Sequence, residues 1–361
     1  GAMLQAYALP KALNKLGVDC EIIDYRFSYI DSWSRIERLN DLIATYGLLR
    51  GVKGYIRRLV QREYWGNTMR HKFDRFERKV MCRSKKIYRS KADLNNMHYD
   101  VILFGSDQIW NSKLTDGVAD EYVGSFMCYP HTRKISYAAS CGTSDFQEES
   151  RDVYCQYLRR FYAVSVREEG LKNTLVGRGI NAECVLDPTL LLTVEEWREL
   201  IPSEKRFSEQ GYLLVYVFDE DERLYDYIRE YARYRKLDII AIAYEEKKSM
   251  HGMNVLTDCG PLEFLGLFSN AEHVITTSFH GTVFSILFHK PFHCITHSRY
   301  GERTDSLLRI LGMKGNSMGD LGNLEDVEVN WARVDALLEK CRLQSLDFLK
   351  KNVVAYEMEQ K

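Results

Sequence analysis

The sequence AEHVITTSFHGTVFSILF occupies residues 271–288 and places a short polar turn between two apolar runs. The run before the turn predicts a buried strand, and the run after it predicts a helix that opens near Gly281. His280 then lies where a strand ends, which is the edge at which open α/β sheets bind ligands, and the helix amides favour an anion there. An imidazole beside an anion indicates proton transfer at a phosphate or carboxylate; a histidine that only packs or caps is the alternative.

Length and composition limit the class of protein. With 361 residues, 45% of them apolar and 28% charged, the chain is long enough for two globular domains. The sequence has no apolar run of the length of a membrane-spanning helix and no signal-peptide pattern, so we expect a cytoplasmic protein. The nine cysteines follow neither a zinc spacing nor a disulfide pattern, and we expect no metal site and no disulfide framework.

Basic residues are concentrated in one segment. Residues 50–91 carry fifteen Lys/Arg and three Asp/Glu, a local balance of +12 in a chain whose net charge is -1. Apolar residues recur there at spacings of three and four, which predicts amphipathic helices. The segment is either a solvated helical face or a surface that attracts an anionic acceptor or an anionic membrane. No nucleic-acid-binding module accompanies the charges, so we expect no nucleic acid partner.

Strand-like and helix-like runs alternate along the chain, which predicts parallel sheets covered by helices. We expect a first domain, on the acceptor side, over residues 1–201 with a helical, basic insertion at about 31–92. We expect a second domain, on the donor side, over 202–330, and a C-terminal helix over 331–361. This is an α/β fold of two Rossmann-like domains facing a cleft, a GT-B-like architecture. The predicted strands are 18–25, 100–105, 134–140, 163–167, 183–187, 212–218, 238–243, 273–276 and 292–295, and the predicted helices are 1–16, 221–235, 261–270, 281–289 and 331–351.

Five segments, taken together and in order, resemble the polysaccharide pyruvyl transferase family. They are LQAYAL at 4–9; GSDQIWN at 105–111; SYAAS at 136–140; VSVRE at 164–168 with VLDPTLLL at 185–192 and Trp197; and PLEFL at 261–265 with TSFHGT at 277–282. The resemblance implies transfer of a pyruvyl group from phosphoenolpyruvate to two hydroxyls of a sugar in a polysaccharide or its precursor. It also implies a strand and an Asn-containing turn preceding the segment that starts at Gly1.

The donor site needs groups that bind two anions, because phosphoenolpyruvate carries a carboxylate and a phosphate. A fork-shaped cation and amides at a helix start meet that need. The resemblance places the family's donor-binding arginine at Arg167 and its histidine at His280. A surface ion pair with Glu168 or Glu169 is the alternative for Arg167, and plain surface positions are the alternative for Arg299 and Arg303. The predicted donor-binding residues are Arg167, Ser278, His280, Gly281, Thr282 and Arg303.

Ketal formation needs a proton for the methylene carbon of the enol and a base for the attacking hydroxyl. We assign His280 as the acid or as the group that stabilises the leaving phosphate, with Arg167 beside it, and Asp107 as the base on the acceptor side. A carboxylate that only caps a turn is the alternative for Asp107, and a core position is the alternative for Trp110. The predicted acceptor-binding residues are Ser106, Asp107, Gln108, Trp110 and Asn111.

Two other functions remain open from the sequence. One is a glycosyltransferase of the same architecture, in which His280 and Arg303 bind the diphosphate of a nucleotide-sugar. The other is a non-catalytic glycan-binding assembly protein. No G-x-G-x-x-G or P-loop pattern is present, and we expect no cofactor besides phosphoenolpyruvate as donor. The expected partners are phosphoenolpyruvate and a sugar or lipid-linked oligosaccharide acceptor, with peripheral contact at the inner face of an anionic membrane.

Overall fold

Two parallel β-sheets organise the chain in the computed structural model, which describes residues 1–26, 68–95, 97–115, 117–202, 211–218, 221–295, 301–318 and 324–355. The helices are α1 (Ala2–Lys15), α2 (68–80), α3 (Lys91–Leu94), α4 (Glu148–Leu158), α5 (Glu169–Gly177), α6 (Val194–Glu199), α7 (Glu222–Arg235), α8 (Pro261–Asn270), α9 (Phe279–Leu287), α10 (Glu302–Ile310) and α11 (Trp331–Leu349). The strands are β1 (Ile22–Tyr25), β2 (Arg83–Tyr88), β3 (Val101–Phe104), β4 (Arg133–Ala139), β5 (Ala163–Val166), β6 (Ala182–Cys184), β7 (Tyr212–Tyr216), β8 (Asp238–Ile242), β9 (Asn254–Leu256), β10 (His273–Thr276), β11 (Phe292–Ile295) and β12 (Ser317–Met318).

The order of the strands shows where a ligand crevice forms. The first sheet has the order β3-β4-β5-β6 and the second the order β12-β11-β10-β7-β8-β9, and all of these neighbours are parallel. In the second sheet β7 is followed by β8 and β9 toward one edge, whereas β10 is followed by β11 and β12 toward the other edge. Such a switch point leaves a crevice at the carboxyl ends of the two strands, and this is the general ligand position in open α/β sheets. The structure therefore confirms the predicted α/β, GT-B-like class.

One apolar core joins the two sheets. The side chains of α9 are buried along its whole length, and Phe284 packs edge-on against Trp197 of α6 at 5.2 Å between ring centroids. The C-terminal helix α11 returns to the first sheet, where Phe348 packs on Tyr137 of β4 and Ser345 Oγ accepts a hydrogen bond from Leu186 N at 3.0 Å. Burial of these large side chains fixes the position of one sheet relative to the other.

Several elements differ from the sequence expectations. The strand predicted over 18–25 is limited to β1, and β1 pairs with β2 in a separate two-stranded sheet. Residues 83–88 form a strand where the helical period was expected to continue, so within the described part of the insertion the helices cover only 68–80 and the start of α3. Residues 31–67 of the predicted insertion lie outside the described residues, as do residues 203–210, which follow the predicted domain boundary at 201/202. Among the helices that the structure describes, none is both long and apolar enough to cross a membrane.

Helix α9 begins at Phe279, two residues before the predicted start. Ser278 is its N-cap, and the Ser278 hydroxyl accepts a hydrogen bond from Gly281 N at 3.4 Å. His280 therefore lies in the first turn of the helix and not in the turn before it. Position 281 requires a glycine, because a Cβ there would lie only 2.2 Å from Thr276 Oγ1. The tight passage from β10 to α9 fixes the direction of the His280 side chain.

Candidate active site

Charged side chains from both sheets meet at the crevice. Arg167 follows β5 and Asp187 follows β6, both at the carboxyl edge of the first sheet. Asp107 follows β3 and has a left-handed backbone with φ of 63°, a conformation that Asp tolerates better than most residues. His280 comes from the start of α9 and Arg303 from the first turn of α10. Residues separated by up to about two hundred positions thus form one cluster, because parallel strands end at a common edge.

Arg167 lies at the centre of this cluster and is 5% exposed. Its Nη1 donates to Asp187 Oδ2 at 2.7 Å, and its Nη2 donates to Asp107 Oδ1 at 3.3 Å. The guanidinium also lies over the ring of Phe279 at 4.3 Å from the centroid, so a residue of the second sheet's α9 contacts it. Glu168 Oε1 is 3.6 Å from Arg167 Nε, but both side chains are buried, and the alternative of a surface ion pair is excluded.

His280 is buried and neutral in this environment. Burial lowers the pKa of His280 to about 4, although Asp187, whose Oδ2 is 3.8 Å from His280 Nε2, acts in the opposite direction. Nε2 has no hydrogen-bond partner. On the other side of the ring, Gly1 at the N-cap of α1 approaches so closely that a Cβ there would lie 2.1 Å from Nδ1. At neutral pH the imidazole of His280 is therefore uncharged.

Arg303 provides the second cation of the site. Its Nη1 is 3.7 Å from Asp107 Oδ1, and its guanidinium lies 5.7 Å from the centroid of the Phe279 ring, on which Arg167 also lies. Burial, together with Arg167, lowers the pKa of Arg303 to about 10, so it stays charged at neutral pH. When the Gln108 amide is turned so that its oxygen faces Arg303, that oxygen accepts from Nη1 and Nη2 at 3.2 and 3.3 Å.

Asp107 is held as an anion. Burial alone would raise the pKa of Asp107, but Arg167, His280 and Arg303 outweigh that effect and leave the pKa lowered. A carboxylate with a lowered pKa is a weak base. The role of Asp107 as the base on the acceptor side stays a prediction, and its contacts with Arg167 and Arg303 show that it also orients the two guanidinium groups.

Asp187 is a further member of the site, although it is not among the site residues predicted from the sequence. It is 1% exposed, and its Oδ1 accepts from Thr189 N at 3.0 Å and from Thr189 Oγ1 at 2.6 Å. Its Oδ2 faces Arg167, His280 and Ser106. Burial would raise the pKa of Asp187, but His280 and Arg167 outweigh it and lower the pKa. The Asp-Pro-Thr sequence is typical of a cap, and that local role was the only signal available.

Unsatisfied polar atoms are concentrated in this cluster. Seven buried side-chain nitrogen or oxygen atoms in the described part of the chain have no hydrogen-bond partner, and four of them belong to Arg167, Glu168, His280 and Arg303. Three of the four are nitrogens: Arg167 Nε, His280 Nε2 and Arg303 Nε. Buried polar groups usually have a protein, water or ligand partner. Arg167 Nε lies 3.6 Å from Glu168 Oε1 and His280 Nε2 lies 3.8 Å from Asp187 Oδ2, both beyond hydrogen-bond distance, and an anionic ligand would give these nitrogens an acceptor.

Some predicted site residues do not face the crevice. Trp110 is 1% exposed, donates from Nε1 to Tyr122 O at 3.1 Å and packs on Phe146, so it belongs to the core and offers no face to a sugar. Asn111 is 4% exposed. The Thr282 hydroxyl is fully buried and lies 3.2 Å from Ser278 O.

Ser106 lies beneath the crevice surface. Ser106 Oγ donates to Ala138 O at 2.8 Å and lies 3.2 Å from Asp187 Oδ2, which makes Ser106 a support for Asp187 beneath the crevice surface and not an acceptor contact. Arg299 lies outside the described residues. The structure thus brings together Arg167, His280, Asp107, Gln108 and Arg303, with Ser278 and Gly281 shaping the turn.

Comparison with known proteins gives one family. The model of a family described as polysaccharide pyruvyl transferase matches residues 1–299. No protein of curated function matches the sequence. A solved UDP-GlcNAc 2-epimerase from Methanocaldococcus jannaschii is 16% identical over 93% of this chain and 89% of that chain, with a TM-score of 0.48. A UDP-GlcNAc 2-epimerase from Neisseria meningitidis bound to UDP-GlcNAc is 10% identical over 98% of this chain and 96% of that chain, with a TM-score of 0.49. Neither structural similarity is strong enough to indicate an activity.

Proposed function

The chain belongs to the polysaccharide pyruvyl transferase family, and from this premise we propose that it transfers a pyruvyl group from phosphoenolpyruvate to two hydroxyls of one sugar in a polysaccharide or its precursor. The products are a pyruvate ketal and inorganic phosphate. The observation that supports this proposal most is the largely buried cluster of Arg167, His280 and Arg303, in which each side chain keeps a nitrogen without a hydrogen-bond partner.

The chemistry of the donor matches the chemistry of the cluster. Phosphoenolpyruvate carries its carboxylate and its phosphate on the same carbon, and the guanidinium groups of Arg167 and Arg303 lie over one aromatic ring, where two cations are available to two anionic groups. Asp107 and Asp187 hold these cations in place before the donor arrives. Preorganised charge of this kind stabilises the charge that develops on a leaving phosphate, and this is a large contribution to catalysis in general.

His280 is assigned the proton transfers at the donor. Burial lowers the pKa of His280 to about 4, and a multiply charged anion beside the ring would raise that pKa, so donor binding is coupled to proton uptake by the imidazole. The protonated ring is then an acid for the methylene carbon. In the balanced reaction two hydroxyl protons are lost: one ends on that carbon, which becomes a methyl group, and the other leaves with the phosphate. Two C–O bonds to the sugar form and the C–O bond to phosphorus breaks.

The test of the activity is incubation with phosphoenolpyruvate and candidate acceptor glycans. We expect acceptor-dependent release of phosphate and a mass gain on the glycan of one pyruvic acid less one water. His280→Ala should lower turnover about a hundredfold or more while the fold is retained, because general acid catalysis contributes about that much. A variant with nearly normal turnover would contradict the assignment of His280.

The same incubation separates the other two functions. A nucleotide-sugar glycosyltransferase would release a nucleoside diphosphate from a nucleotide-sugar and leave phosphoenolpyruvate unchanged. A non-catalytic glycan-binding protein would bind the glycan and leave both donors unchanged. Either result would overturn the proposed transfer.

A further inference from the structure

Two exposed aromatic rings stand at the carboxyl edge of the second sheet. Phe218 is 50% exposed and Tyr244 is 74% exposed, and each lies two residues beyond the end of its strand, β7 and β8 respectively. Their rings are nearly parallel, with an interplanar angle of 27° and 6.5 Å between centroids. Because β7 and β8 are neighbours, the two rings form one surface, which we call the aromatic platform.

The aromatic platform is joined directly to the loop that carries His280. Phe218 N donates to Thr277 Oγ1 at 3.1 Å, and Thr277 precedes the N-cap of α9. β7 is also one of the two strands at the switch point of the sheet, so the platform lies on the rim of the crevice.

Tyr216, the last residue of β7, packs against the platform. Its ring contacts Phe218 edge-on at 4.9 Å and the buried Phe264 of α8 edge-on at 5.3 Å. The platform is therefore anchored to the core of the second sheet, next to the loop that carries His280.

We propose that the aromatic platform of Phe218 and Tyr244 is the stacking subsite for the acceptor sugar. This inference rests on the proposed function. A pyranose has a polar rim of hydroxyls and a face of C–H groups, and that face is attracted to the negative face of an aromatic ring. An acceptor stacked on the platform would direct hydroxyls toward the crevice, where Gln108 and Asp107 offer hydrogen-bonding groups. Phe218 and Tyr244 are accessible and would contact the sugar face, the role predicted for Trp110, which is buried in the core.

A nucleobase also stacks on aromatic rings, so the experiment must distinguish a sugar from a nucleoside. Saturation-transfer NMR is recorded with a panel of methyl glycosides of galactose, mannose and N-acetylglucosamine, and separately with uridine. We expect transfer to the C–H face of at least one glycoside, and a loss of affinity of about tenfold in Phe218→Ala and in Tyr244→Ala. Tyr244→Phe keeps the ring and should keep the affinity.

Tyr234→Ala is the matched control, because Tyr234 is 60% exposed near the C-terminal end of α7, away from the carboxyl edge of the sheet. It should bind glycosides as the unchanged protein does. No transfer to any glycoside, an unchanged affinity in both alanine variants, or a loss confined to uridine would each overturn the platform as a sugar site.

A kinetic measurement separates failure of this inference from failure of the proposed function. With a working acceptor, the platform variants should raise the acceptor KM about tenfold while kcat changes little, because the rings bind sugar equally in the ground and transition states. An unchanged acceptor KM rejects the platform and leaves the transferase intact. If no acceptor gives phosphate release, but the variants still lose glycoside binding, the platform stands and the transferase fails.

Discussion

His280 Nε2 lies 3.8 Å from Oδ2 of Asp187, across the boundary between the two sheets. The same carboxylate oxygen is 2.7 Å from Arg167 Nη1, so one buried anion contacts both the cation and the imidazole of the site. The distance between Arg167 and His280 is therefore set by a residue of the first sheet.

Replacement of Asp187 should reduce stability as well as activity. Asp187→Asn removes the charge that compensates the buried Arg167, and breaking a buried pair in this way costs about 3 kcal/mol or more in the free energy of unfolding. Urea denaturation at neutral pH measures the change. Asp152→Asn is the control, because Asp152 pairs with Arg178 but its side chain is 91% exposed, and its removal should cost less than about 1 kcal/mol. Equal stability of both variants would show that Asp187 does not hold Arg167.

The stability of the protein should fall as the pH is lowered from about 6.5 to 4. The unfolded chain protonates His280 near its usual pKa of 6.5, whereas burial lowers the pKa in the folded state to about 4, so the unfolded state binds more protons in this window. His280 alone contributes up to about 3 kcal/mol to the loss. Burial lowers the pKa of His273 to about 3, so it adds to the same loss.

His280→Gln should therefore flatten the stability curve between pH 6.5 and 4 without removing the slope. Denaturant midpoints measured across this range give the result. His251→Gln, which removes an exposed histidine, is the matched control. A curve for His280→Gln that is parallel to that of the unchanged protein would contradict burial of a neutral imidazole.

Local patterns could be read from the sequence, but the contacts between sheets could not. The passage from β10 to α9 is predictable because apolar periodicity is a local signal, although the Ser278 cap starts the helix two residues before the predicted position. Arg167 is predictable because it lies in a segment that resembles the family and follows a strand. The sequence shows that Trp110 is apolar, but only its packing on Phe146 shows that it is buried.

The position of Asp187 depends on information that no single segment contains. Its Asp-Pro-Thr context is sufficient for a cap, and the cap does exist, through Thr189. The second role appears only when α9 is packed against the first sheet, since His280 comes from the other side of the crevice. Phe279 is similar, because its apolar side chain suggests a core position, yet the guanidinium groups of Arg167 and Arg303 both lie over its ring. The contacts of Asp187 and of Phe279 in the site therefore depend on long-range packing.

Arg303 should contribute to donor binding, whereas Arg309 on the same helix should not. Arg303 is buried near Asp107, while the Arg309 side chain is 42% exposed and pairs with Glu169 and Glu302. A charge-assisted hydrogen bond is worth about 1.5–3 kcal/mol, so Arg303→Ala should weaken phosphoenolpyruvate binding at least tenfold. Calorimetric titration at constant ionic strength measures both variants against the unchanged protein. A similar loss in Arg309→Ala would indicate only a general attraction of anions.

The basic segment 50–91 should bind anionic vesicles weakly and in a salt-dependent manner. Residues 50–67 lie outside the described residues, but within the described part several charges are already paired. Lys72 Nζ is 2.7 Å from Asp258 Oδ2 and 3.4 Å from Glu263 Oε1, and Lys91 Nζ is 3.0 Å from Asp120 Oδ2. These pairs reduce the charge that is available to a membrane, so the binding that remains should be weak and should fade as salt rises.

Charge reversal identifies the residues that bind. Lys85 and Lys86 are exposed on β2, and each basic residue near an anionic surface contributes about 1 kcal/mol, so the double variant Lys85→Glu/Lys86→Glu should lower vesicle binding about tenfold or more. The double variant Lys314→Glu/Lys340→Glu changes net charge equally at exposed positions elsewhere and should bind as the unchanged protein does. Co-sedimentation with phosphatidylglycerol vesicles at low and moderate salt gives the comparison. The membrane hypothesis is wrong if the protein stays in solution at both salt concentrations, or if the two double variants bind equally. The segment is then structural, and its charges serve contacts within the protein.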